Sequence, residues 1–133
     1  MTKEEHIQYW MQGAEDDLAA AESLFMAEKY NWCLFVAHLV LEKMLKAVFV
    51  LRNDNNVPPR THNLVKLAEL SSLKLTDEEL EFYDEVNSFN LEARYPDYKK
   101  KFHKKCNREF TESYFAKIKA QYSQLKSLIA SEI

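Results

Sequence analysis

Apolar residues recur along this chain at helical intervals, broken by a few short polar or proline-containing stretches. The densest run is Asn31 to Asn53, where Trp32, Leu34, Phe35, Val36, Leu39, Val40, Leu41, Met44, Leu45, Val48, Phe49 and Val50 leave almost no polar side. A helix apolar on nearly every side is either a membrane span or the centre of a bundle. His38, Glu42, Lys43 and Lys46 interrupt it, and no uninterrupted apolar run approaches the ~18 residues of a span. The pattern therefore predicts a buried central helix over about 31–53, with Asn31 as its cap.

The flanking segments read in the same way. Thr2 and Glu5 have capping-box spacing, and Ile7, Trp10, Met11, Ala14, Leu18, Ala21 and Phe25 follow on one face, which predicts a helix over about 3–28. The sequence DNNVPP at 54–59 cannot continue a helix, because proline lacks the amide donor and restricts the residue before it. A short helix carrying Leu64, Leu67 and Leu70 is expected to begin near Thr61 or His62. Thr76 and Glu79 repeat the capping-box spacing and open a helix to about Ala93, which Pro96 ends. A last helix is predicted over about 107–131, with Phe110, Tyr114, Ile118, Tyr122, Leu125 and Ile129 inward. These elements predict an all-α fold, an antiparallel up-and-down four-helix bundle with one short additional helix, forming a single domain over residues 1–133. Short connections favour antiparallel neighbours.

Composition agrees. With 47% hydrophobic and 29% charged residues the chain can build a core, while one Gly and three Pro leave little for the turns of a sheet protein. The net charge of −3 makes no global case for nucleic acid, but the distribution is uneven. The first thirty residues hold seven acids and two Lys, whereas Lys99 to Arg108 holds six Lys and Arg and no acid. Cys33 and Cys106 form no ligand cluster and suit a reducing compartment. With no signal peptide at the acidic N-terminus, the expected location is cytoplasmic.

Most site chemistries have no footing. A single Gly13 permits no glycine-rich phosphate loop, and no His and Cys pair has zinc-site spacing, so neither a metal nor a cofactor is expected. Two polar lines remain. On the 76–93 helix, Tyr83, Asn87, Asn90 and Arg94 fall within one narrow arc, between a core stripe (Phe82, Val86, Phe89, Ala93) and an acidic one (Glu81, Glu85, Glu92). On the central helix, His38, Glu42 and Lys46 stand four residues apart, with Glu42 and Lys46 oriented as a helical ion pair. Together they predict a polar groove between two helices. His62 reads as a capping or hinge residue. The stretch from Tyr95 to Arg108 interleaves Tyr95, Tyr98 and Phe102 with lysines, which offers cations to phosphates and aromatic faces to bases, or forms a solvated face.

Taken in order, Asp17-Leu18 with Ala20-Ala21, Tyr30, Phe35 to Ala47 with its Glu42-Lys43 and Leu45-Lys46-Ala47, Thr61-His62 with Leu64 and Leu67, and Asn90 with Arg94-Tyr95-Pro96 resemble the HEPN (higher eukaryotes and prokaryotes nucleotide-binding) domain. The likeness is clear to about residue 97. It implies an up-and-down helical bundle, often a homodimer with its polar groove near the subunit interface, and often a minimal nucleotidyltransferase as partner in a toxin–antitoxin-like system. Some members are metal-independent endoribonucleases that pair an Arg with a closely following His. Here eight residues separate Arg94 from His103. The expectation is thus a non-catalytic module that binds a nucleotide or RNA phosphate through Glu42, Lys46, Asn87, Asn90 and Arg94, with Tyr83 or Tyr95 stacking on a base. The alternatives are a ribonuclease toxin using Arg94 and His103, and a purely structural subunit capping a nucleotidyltransferase. Trp10, Trp32 and the many Phe and Tyr also suggest a homodimer.

Overall fold

The computed structural model describes residues 1–133, which form six helices and no strand. They are α1 (Lys3–Met26), α2 (Tyr30–Arg52), α3 (Leu64–Leu70), α4 (Asp77–Arg94), α5 (Pro96–Lys105) and α6 (Arg108–Glu132). Both capping boxes close as their spacing predicts, Thr2 with Glu5 and Thr76 with Glu79. Asn63 caps α3 through the amides of Val65 and Lys66, and Asn107 caps α6 through that of Phe110. With so little glycine, two helices end on other residues in the left-handed region, Glu28 at φ 61° after α1 and Ser72 at φ 56° after α3.

The central helix is the hub. Fifteen of the 23 residues of α2 are buried, and α1, α3, α4, α5 and α6 all pack against it. Side-chain pairs give the directions. Trp10 meets Lys46, Gly13 meets Lys43 and Phe25 meets Tyr30, so α1 and α2 are antiparallel. Tyr83 bonds Gln121, and Phe82 and Phe89 pack on Tyr114 and Phe110, so α4 and α6 are antiparallel as well. Arg52 at the end of α2 grips Glu132 at the end of α6 at 2.7 Å and also donates to the carbonyls of Ser71 and Ser72. That one guanidinium ties the C-terminal ends of three helices together.

One element departs from the expected plan. The basic stretch after Arg94 is itself a helix, α5, and Pro96 is both the stop of α4 and the first residue of the next helix. Proline has no amide to lose at that position, and its fixed φ suits a helix start. Tyr95 is the single-residue joint; its amide donates to Leu91 and its carbonyl accepts from Tyr98 and Lys99. Phe102 anchors α5 by burying its ring 5.5 Å from Phe89. His103, Lys104 and Lys105 in the last turn complement the helix dipole. No helix is long and apolar enough to cross a membrane.

Candidate functional site

The groove expected between α2 and α4 is divided among three places. In the first, Glu42 and Lys46 are almost fully buried and satisfy the interior. Glu42 Oε2 lies 3.0 Å from Lys46 Nζ, and Glu42 Oε1 accepts from His62 Nδ1 at 2.7 Å. Lys46 Nζ also sits 5.3 Å from the centre of the Trp10 ring. The backbone of the same loop is held by His38, whose Nε2 donates to the His62 carbonyl at 3.0 Å. That bond places the proton on Nε2 and leaves Nδ1 buried without a partner. Burial drives the His38 pKa down to about 4, so the ring is neutral near pH 7. His62, expected as a cap or hinge, is instead the residue by which the proline loop is fastened to the central helix.

The second place is a small cleft of about 220 Å³ lined by His62, Asn63, Asn87, Asn90 and Leu91. Asn87 is already committed: its Oδ1 accepts from the Leu64 amide at 2.8 Å and its Nδ2 donates to Asn63 Oδ1 at 3.0 Å. Asn90 Oδ1 accepts from Arg94, and Asn90 Nδ2 is buried with no partner. Tyr83 belongs to neither cleft. Its ring is fully buried, its hydroxyl donates to Gln121, and desolvation raises its pKa, so the structure gives it packing work where the sequence suggested base stacking.

The third place holds the positive charge. Lys29, Asn31, Trp32, Arg94, Pro96, Lys99, Lys100, His103 and Lys104 line a cleft of about 650 Å³. Five of these residues are Lys or Arg, and none is an acid. Positions 96, 99, 100, 103 and 104 fall on one face of α5 by helical spacing, so the turn after Tyr95 carries that face back beside Arg94. Arg94 and His103 therefore share one cleft despite the intervening residues and Pro96. The opposite wall comes from the first turn of α2. Asn31 does not cap that helix. It lies within it, buried, with Oδ1 3.5 Å from His103 Nδ1, at the outer limit of a hydrogen bond.

The helix ends here differ from the rest. α1, α3, α4 and α6 each have a capping side chain, whereas α2 and α5 have none. Those two N-termini flank this cleft, and α2 has no acid in its first turn. The open amides and partial positive charge at the start of α2 add to the lysines, whereas α5 begins on Pro96, which has no amide, carries Asp97 in its first turn and has its Tyr98 amide paired with the Tyr95 carbonyl. Tyr95 is half-exposed beside Arg94, whose guanidinium carbon lies 5.9 Å from the ring centre. Lys29, Trp32 and Asn31 were not expected at a site. The sequence signal that could have marked them is the uncapped, acid-free start of α2.

A model of the HEPN domain matches residues 7–127, and the chain belongs to that family. No curated protein and no solved structure matches the sequence.

Proposed function

We propose that this HEPN domain is a non-catalytic module that binds a nucleotide or the phosphates of RNA in the basic cleft. It would work beside a partner such as a minimal nucleotidyltransferase. The observation that carries this reading is the convergence of Arg94 and four lysines beside the uncapped, acid-free N-terminus of α2, with no carboxylate in the cleft lining. Arg94 is the anchor for phosphate, because its planar fork grips two oxygens and its reach is steadied by Asn90. Glu42 and Lys46 hold the scaffold behind it, and Tyr95 flanks the guanidinium. A salt titration of RNA binding tests the reading. Affinity should fall steeply with salt, and exchanging Lys99 and Lys100 for Glu should flatten that slope and weaken binding by more than ~10-fold. Affinity untouched by salt and by both substitutions would reject it.

The shared cleft of Arg94 and His103 favours one second reading, a metal-independent endoribonuclease. His103 would transfer protons and Arg94 would stabilise charge on the phosphate. RNA cleavage in EDTA that disappears in His103→Ala supports it, and intact RNA after prolonged incubation rejects it. For assembly we propose a homodimer, in keeping with the exposed Tyr9, Met26, Leu91 and Tyr98. Light scattering should then return twice the 15.7 kDa chain mass, and a monomer at every concentration would refute it.

A further inference from the structure

A cleft made only of cations would hold any polyanion. This one also contains an indole. Trp32 is 37% exposed and lines the basic cleft from the first turn of α2. Its ring is braced edge-on by Phe35, with centres 6.0 Å apart and planes at 84°. Lys99 Nζ lies 4.8 Å from the centre of the Trp32 ring, so a phosphate-binding cation stands within a nucleotide's own base-to-phosphate reach of an aromatic face.

We propose that Trp32 is a base-stacking platform, and that the cleft takes a single-stranded nucleic acid with an unstacked base on the indole and its phosphate on Lys99, Lys100 and Arg94. The inference rests on the phosphate-binding reading and adds the class of strand and the residue that selects it. A duplex keeps its base faces covered by neighbouring pairs, so it can offer this cleft only phosphates; a single strand can turn one base outward. The other exposed aromatics are less suited. Tyr95 and Tyr98 lie outside the cleft lining, and Tyr9 borders a different cleft that contains Asp16. Lys99 over the indole also has a structural use, since a cation covering a ring shields it from water. The experiment has to separate the two.

Anisotropy titrations would use four probes: a labelled single-stranded RNA of about eight nucleotides, the same strand annealed to its complement, an abasic strand of equal length, and polyphosphate. Single-stranded RNA should bind tightest. Trp32→Ala should weaken it about 10-fold and leave the abasic strand and polyphosphate within ~2-fold, as expected from the stacking of one base. Trp32→Phe should retain most of the affinity. In a Trp10→Phe background, the remaining indole emission should be quenched by the base-bearing strand and not by the abasic one. Equal weakening of both strands in Trp32→Ala, or none, overturns the platform while leaving the phosphate site intact. Failure of every probe to bind overturns both.

Discussion

Removing Glu42 should strand a buried cation, and the expected cost follows from what its two oxygens do. The side chains of Lys46 and Glu42 are 10% and 7% exposed, so Lys46 without Glu42 would face only the Trp10 ring and a poorly hydrated wall. Deleting one partner of a buried ion pair typically costs ~3–5 kcal/mol, because the survivor keeps its desolvation penalty and loses its compensation. The lost contact to His62 adds little, since that ring is more than half exposed and screened by water. We expect Glu42→Ala to lose about 4 kcal/mol, roughly 15 °C in Tm for a domain of this size. That is a large part of a typical total of ~5–15 kcal/mol. Glu42→Ala combined with Lys46→Met removes the stranded charge and should recover most of the loss. Urea unfolding followed by circular dichroism measures both. A single mutant within ~1 kcal/mol of the parent, or a double mutant no more stable than the single, would refute the reasoning.

Three further outcomes follow from other contacts. His38 is held neutral with a pKa near 4 against 6.5 for the free side chain, so the unfolded state binds the extra proton between those values; stability contributed by the neutral ring is full above pH 6.5 and falls as pH drops towards 4. The slope, up to ~1.4 kcal/mol per pH unit, should be smaller in His38→Gln, which keeps a donor for the His62 carbonyl, and identical pH profiles would contradict it. Tyr83→Phe loses the bond to Gln121 and keeps the buried ring, so it should cost ~1 kcal/mol in urea unfolding and leave RNA affinity unchanged; a fall in affinity without a comparable loss of stability would return Tyr83 to the ligand. Glu28→Gly relieves a left-handed residue at the end of α1 and should stabilise by ~0.5–1 kcal/mol after the entropic cost of glycine, whereas destabilisation would mean the Glu28 side chain holds a contact worth more than the strain.

What the sequence made legible was local. Capping boxes at Thr2 and Thr76 require only residues three apart, and the core stripes require only helical spacing, so four long helices could be placed within a few residues. The pairing of Glu42 with Lys46 was legible for the same reason. Their burial was not, because the residue that closes over them is His62, brought in by a proline loop whose path no periodicity describes. Pro96 shows a different limit. Proline can stop one helix and start another, and the burial of Phe102 against Phe89, a contact between helices that spacing alone does not reveal, anchors the lysine-rich α5 that follows it.

The same joint explains the site. Arg94 and His103 could be named from their chemistry, but their meeting depends on a one-residue turn at Tyr95, which folds the basic face of α5 back towards the end of α4. Across from them, Lys29, Asn31 and Trp32 arrive from a helix start more than sixty residues earlier, and there the informative feature is something withheld. Where α1, α3, α4 and α6 spend a side chain on their first amides, α2 leaves its own open, and α5 starts on a proline that has no amide to satisfy. A missing N-cap usually costs about 1 kcal/mol, and an open helix start beside a cationic cleft suits an anion that completes it. On the proposed reading the open amides of α2 and the lysines would share one ligand, and stability should rise with RNA present by more than it rises in the variant carrying Glu at 99 and 100.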